Sequence, residues 1–213
     1  MIINITALTA QNSGEEMTVT LELSNGLHSE KQSHTILTDK YIELNLKKGE
    51  IDKETYEQIV SFANICTAYK KALSLLSYGS CSKKNLYLKL KSRGFEGDVI
   101  DDVVEMLDKA NLLRENETCI REAERALKKL WGKKRIISHL YSKGFDNEAI
   151  SDALESLSEV DFEENCKILL KKDYQRRLAD AREDKAAAEK LVAALVRMGY
   201  SISEIRSALN SIL

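Results

Sequence analysis

The side chains best placed to do chemistry in this chain are cations gathered in short runs: Lys83-Lys84, Lys128-Lys129, Lys133-Lys134-Arg135 and Arg176-Arg177. Ammonium and guanidinium groups in such runs neutralise phosphates or pair with carboxylates, and the planar guanidinium fork suits both. Two of the runs lie beside an aromatic ring, in Trp131-Gly-Lys-Lys-Arg135 and Tyr174-Gln-Arg-Arg177. A ring face next to positive charge can pack on nucleic acid or in a protein groove. A lone tryptophan at a turn is nevertheless more often a packed residue than a contact, and packing is the first expectation for Trp131.

Catalysis finds little to work with. His28, His34 and His139 stand at no motif spacing from a cysteine, serine or acid. The chain has no GxxxxGK[ST] phosphate loop, no GxGxxG and no HExxH. Carboxylates are plentiful, but on solvated helical faces they are weak evidence for acid–base chemistry. Cys66, Cys81, Cys119 and Cys166 are far apart, with no CxxC or Cys-His pair. That spacing argues against a metal and for unbridged thiols in a reducing compartment. No enzymatic activity, metal or cofactor is expected.

The elements that carry the cations come from internal repetition. Leu86-Tyr-Leu-Lys-Leu90-Lys-Ser-Arg-Gly94-Phe95, Ile136-Ile-Ser-His-Leu140-Tyr-Ser-Lys-Gly144-Phe145 and Leu191-Val-Ala-Ala-Leu195-Val-Arg-Met-Gly199-Tyr200 align without a gap. Downstream, Ile100, Ile150 and Ile205 keep the register, as do Leu107, Leu157 and Ile212. Apolar steps of four, a glycine with an aromatic, then a second apolar series describe a helix, a turn and a helix. Each glycine suits the left-handed position that ends a helix, and the aromatic can fold back as the apolar contact of that cap. Asp146 and Ser201 offer N-caps to the helices that follow, whereas Glu96 is a poorer one.

Nine helices in three trios are expected after Asp52, the N-cap of a first long helix reaching Tyr78. The third trio opens with one helix from Asp161 to about Ala181. A unit recurring every 50 to 55 residues cannot bury its apolar face alone. The expected fold is mostly α: three tandem three-helix repeats over 52–111, 112–158 and 159–213, stacked into a curved elongated rod. Residues 1–51 read as a small α/β module. Met17-Thr-Val-Thr-Leu-Glu-Leu23 alternates, Asn25-Gly26 signals a two-residue hairpin turn, and a strand through His34–Leu37 would pair with it. Ile2–Leu8 would add a third strand, and Thr38–Asn45 a short helix.

Composition fits such a chain of 213 residues: 43% hydrophobic, 31% charged, net charge −2 and no proline. Nor is any run near the roughly 20 apolar residues of a membrane span. Met1-Ile-Ile-Asn-Ile-Thr lacks the basic region and apolar core of a signal peptide, so a cytoplasmic protein without membrane contact is expected.

The charges are sorted along the chain. Lys70, Lys71, Lys83, Lys84, Lys89, Lys91 and Arg93 fall between Thr67 and Phe95 with no acid among them. From Glu96 to Thr118 acids dominate, from Cys119 to Phe145 bases return, and from Asp146 to Asn165 there are acids alone. Stacked repeats would turn this into a basic and an acidic stripe, a surface for a long, charged, repeating partner. A filament or a nucleic-acid backbone fits.

The segments Ala72-Leu73-x-x-Leu76, Ser82-x-x-x-Leu86-x-x-x-Leu90-x-x-x-Gly94-Phe95 and Leu107-x-x-x-x-Leu112-Leu113 together resemble the RecX family of bacterial regulators. Gly132-Lys-Lys-Arg-Ile136-x-x-x-Leu140-x-x-Lys143-Gly144 looks like that family's second-repeat signature, and Lys48-Gly49-Glu-Ile51 is placed as in its Gram-positive members. One junction departs: where the family has Gly-Leu-[Ile/Leu]-Asp-Asp-x-x-[Phe/Tyr]-Ala, this chain has Asn111-Leu-Leu-Arg-Glu-Asn-Glu-Thr-Cys119-Ile120. The resemblance implies a protein that binds the RecA recombinase filament on single-stranded DNA. Lodged in the filament groove, it would restrain strand exchange, ATPase and co-protease activity, and with them recombination and the SOS response. Acting as a monomer, it would contact RecA and DNA, on the charge argument alone, through Lys83, Lys84, Lys128, Lys129, Lys133, Lys134, Arg135, Arg176 and Arg177. The alternative is a helical-repeat protein that binds DNA directly through its basic helices.

Overall fold

The computed structural model describes residues 2–212. Four strands, β1 (Ile2–Gln11), β2 (Glu16–Ser24), β3 (Ser29–Leu37) and β4 (Gly49–Ile51), form an antiparallel sheet in the order β3-β2-β1-β4. The period of two buries Ile3, Ile5, Val19, Leu21 and Ile36 in one core with Leu46, Ile59 and Ala63. The hairpin forms at Asn25-Gly26, but its loop has four residues, since Ser24 pairs with Ser29. Asn25 Oδ1 accepts from the amides of Leu27 (3.2 Å) and His28 (2.9 Å), and this side-chain turn takes the place of the expected two-residue one. β4 was not foreseen; it is too short to show a period and is held by pairing with β1. Helix α1 (Thr38–Glu43) occupies the segment expected to be helical.

The remaining helices are α2 (Lys53–Ser77), α3 (Lys83–Lys91), α4 (Gly97–Lys109), α5 (Glu115–Leu127), α6 (Lys133–Ser142), α7 (Asn147–Glu155), α8 (Phe162–Asp173), α9 (Gln175–Glu183), α10 (Lys185–Arg197) and α11 (Ile202–Asn210). Two compact units result: Met1–Gly79 with Leu86–Leu112, and Ser80–Asn85 with Leu113–Leu213. In the first unit α2 starts at Asp52, whose side chain accepts from the Thr55 amide at 2.7 Å, and packs on β3 and α4.

In the second unit, α5 to α7 enclose Cys119, Ala123, Ile136, Leu140, Ile150 and Leu157. Helices α8 to α11 enclose Cys166, Leu170, Leu191, Leu195, Tyr200 and Ile205. Here the sequence pattern needs correcting. The single helix from Asp161 to Ala181 is two, broken at Tyr174 (φ −121°, ψ 14°), so ten helices rather than nine follow Asp52 among the described residues. Helix α8 packs on α11 while α9 packs on α10, and the break lets each segment reach its own partner.

The repeated glycines do what their spacing predicts. Gly94, Gly144 and Gly199 have φ of +87°, +83° and +96°. The following aromatic amide donates five residues back in each case: Phe95 to Leu90 (3.5 Å), Phe145 to Leu140 (3.3 Å) and Tyr200 to Leu195 (3.3 Å). Asn111 (φ +55°) and Leu130 (φ +54°) close α4 and α5 in the same way without a glycine. For leucine this costs about 1–2 kcal/mol. Asp146 and Ser201 cap α7 and α11, Ser201 in a reciprocal box with Glu204, and Glu96 caps nothing with its side chain.

Candidate functional site

All nine cations singled out in the sequence belong to the second unit, and all stand at helix ends. Lys83 and Lys84 open α3, Lys128 and Lys129 follow α5, Lys133, Lys134 and Arg135 open α6, and Arg176 and Arg177 open α9. No acid occupies the first turn of α3, α6 or α9. Since the N-terminal end of a helix is itself positive, each cation there costs about 0.3–1 kcal/mol. Fold stability alone would choose acids for those positions.

The turn from α5 to α6 is held by backbone contacts. Gly132 N–H donates to the Met198 carbonyl (2.8 Å), Lys134 N–H to the Gly199 carbonyl (3.1 Å), and the Tyr200 hydroxyl to the Leu130 carbonyl (2.8 Å). A Cβ on Gly132 would overlap the Gly199 backbone, and one on Gly199 would overlap Arg135 N and the Gly132 carbonyl oxygen. Two turns thus lie main chain on main chain, and the three cations of α6 project from a rigid base. Ser82 has the matching role before α3. Its hydroxyl donates to the Lys143 carbonyl (2.7 Å) and accepts from the Asn85 amide (3.1 Å), while a Cβ on Gly144 would lie 3.0 Å from Ser82 Oγ. The Lys83 amide donates to Glu115 Oε1 at 3.0 Å.

Trp131 sits in the middle of this turn, half buried against the α5–α7 core. Its ring meets His139 edge to face at 5.2 Å, the Arg135 guanidinium lies 4.1 Å from the ring centroid and Lys129 Nζ 5.2 Å. Packing, the first expectation, accounts for the buried part of the ring. Two of the candidate cations cover the remainder, where each contact with the ring is worth about 0.5–1 kcal/mol. Lys128, Lys133 and Lys134 are exposed beside it. Behind the ring, His139 Nε2 is 3.6 Å from Glu122 Oε2. Burial pushes the Glu122 carboxyl up, but the hydrogen bond from Arg125 and the charges of Lys143 and Arg125 hold it below the ordinary value.

Arg177 faces the Tyr174 ring at 5.4 Å and lines a groove of about 440 Å³ between α9 and α10, together with Asp180, Ala187, Lys190, Leu191 and Arg197. Lys190 and Arg197 were missed in the sequence. Their spacing of seven on α10, in line with Ala187 and Leu191, was the signal available. Arg176 is exposed at the start of α9. The nine cations therefore occupy three separate helix junctions.

All four cysteines are buried and unbridged. Among the described residues no group of three His, Cys, Asp or Glu side chains is placed to hold a metal, and no helix is long and apolar enough to cross a membrane. What the junctions offer is exposed positive charge on backbone-held turns, with the Trp131 ring packed beneath Lys129 and Arg135.

Comparison with known proteins adds an independent line. The family model described as RecX, first three-helix domain, matches residues 68–107. A protein of Clostridioides difficile (strain 630) named Regulatory protein RecX is 33% identical over 172 residues, 79% of this chain and 79% of that protein. One of Geobacillus sp. (strain WCH70) with the same name is 32% identical over 94 residues, 44% of this chain; the match spans only 34% of that relative's length. In fold, the chain is similar to a crystal structure of regulatory protein RecX (TM-score 0.77, 21% identity, 96% of this chain and 99% of the other). It is also similar to the crystal structure of RecX from Lactobacillus salivarius (TM-score 0.61, 23% identity, 70% and 96%).

Proposed function

Because the chain belongs to the RecX family of regulatory proteins, we propose that it binds the RecA filament on single-stranded DNA as a cytoplasmic monomer. There it restrains recombinase, ATPase and co-protease activity without performing catalysis of its own. The observation that carries the contact surface is the α5–α6 turn, where Lys129 and Arg135 lie against the Trp131 ring and Lys133 and Lys134 are exposed on the same backbone-locked turn. Cations held at a helix start against the dipole, on a turn too rigid to relax, are positioned for a partner rather than for stability. Phosphates and carboxylates on a filament are such partners. The cations at the starts of α3 and α9 extend the same surface chemistry.

Titration of the purified protein against single-stranded DNA, with and without RecA and ATP, tests this. Tight binding is expected only to the RecA-coated strand, together with slower ATP hydrolysis. If bare DNA binds as tightly as the filament, direct DNA recognition through the basic helices replaces this reading. Such binding would weaken with salt by a log–log slope of about −0.7 per phosphate neutralised on a single strand.

A further inference from the structure

The first unit holds a second cationic site that the filament reading does not use. Thr67, Lys70, Lys71 and Ser74 recur along one face of α2 and, with Arg93 and Phe95 from the turn between α3 and α4, line a cavity of about 470 Å³. Among the described residues three cations and one aromatic ring line it and no carboxylate does, and Lys70 pairs with the buried Glu16 of β2. That pair neutralises Lys70 and fixes it, which leaves Lys71 and Arg93 as the uncompensated charge. Arg93 is itself held in place, donating through Nη1 to the Lys89 carbonyl at 2.6 Å. Phe95 is partly buried, its position set by the glycine cap at Gly94. The hollow is shallow and open to solvent, and its lining combines an apolar wall with a few placed polar groups.

We infer that this cavity is a nucleotide subsite, taking one base against Phe95 and the adjoining phosphate between Lys71 and Arg93, with the Thr67 and Ser74 hydroxyls at its edge. A ring face for the base and two unpaired cations for the phosphate match a nucleotide unit better than a peptide carboxylate, which would leave the ring without a purpose. The chemistry is shared by a free mononucleotide and by one unit of a single strand.

The test uses the full chain carrying K133E and K134E, so that the α6 cations do not contribute, and a fluorescent oligothymidylate as probe. Binding is expected to persist in that chain. Adding K71A and R93A should weaken it by at least about tenfold and shallow the salt slope by about 0.7, one phosphate's worth on a single strand. F95A should weaken oligothymidylate while leaving an abasic oligonucleotide of equal charge unaffected, because stacking is worth about 1–3 kcal/mol per base. Displacement by thymidine monophosphate assigns the site to free nucleotides, and resistance to it assigns the site to the strand; either outcome supports the subsite. Loss of all binding in the K133E/K134E chain, or affinity indifferent to K71A/R93A, overturns it. RecA-filament binding by the otherwise unaltered K71A/R93A chain is read separately, so failure of the subsite leaves the filament reading standing.

Discussion

Cys119 and Cys166 each lie at the centre of a helical core, and burial, reinforced by nearby carboxylates, pushes both thiols up to about 12. They are therefore poor nucleophiles at neutral pH. The native state keeps protons on them that the unfolded chain releases above its ordinary value of 9.0. Stability from this source is complete below pH 9.0 and declines as pH climbs toward 12. Thermal melts across that window should show the decline, and C119A/C166A should reduce it. Tyr200 carries a longer-range role. From the sequence it is the apolar contact of a glycine cap, and it is buried as that requires, with 1% of its surface exposed. Its hydroxyl also bonds the Leu130 carbonyl, a partner 70 residues away that no local pattern reveals. Tyr200→Phe should cost about 1–3 kcal/mol by leaving that carbonyl unsatisfied, measurable by urea denaturation. A loss below a few tenths would mean water replaces the hydroxyl.

At the scale of helices and turns, two glycines with the same backbone conformation should respond differently to one added methyl. Gly94 and Gly199 both sit at positive φ, but a Cβ on Gly94 meets open space and one on Gly199 meets the Arg135 backbone. Gly94→Ala should cost about 1–2 kcal/mol, the left-handed penalty alone. Gly199→Ala adds overpacking of about 1–3 kcal/mol and should loosen the α5–α6 turn as well. Equal losses in chemical denaturation would show that the backbone contact yields easily. The sequence carried the left-handed requirement, through the Gly-aromatic repeat, but not the close approach, because Gly132 belongs to a different segment. Helix positions were legible for a similar reason: apolar spacing and cap residues are local. The break at Tyr174 was not, since Asp161–Ala181 contains no proline or glycine to mark it. Packing decides it, α8 against α11 and α9 against α10. The junction after α4 shows a substitution in kind. Asn111 takes the left-handed position where the family pattern has glycine, and Glu115, reaching the Lys83 amide, supplies an acid where the pattern's aspartates are missing.

Across the whole molecule, a net charge of −2 leaves little long-range field, so affinity for a polyanion has to come from where the cations are placed. The candidate cations were found in the sequence because charge sorting is visible there. Seven of the nine stand at helix starts, and for Arg176 and Arg177 this required the structure, since the break at Tyr174 carries no mark in the sequence. This placement makes folding and binding pull in opposite directions, and the opposition can be measured. In K133E/K134E two exposed cations at the first turn of α6 become acids that the helix dipole favours. Arg135 is left in place because its guanidinium packs on Trp131. The variant should gain about 0.5–2 kcal/mol of stability, while its affinity for the RecA-coated strand falls at least tenfold, as expected when two charge-assisted contacts become repulsive. A loss of both properties would point to damaged folding, and a gain in stability with unchanged affinity would move the contact surface elsewhere. Only the paired result, a firmer fold with a weaker grip on the filament, identifies these lysines as kept for the partner at the expense of the helix that bears them.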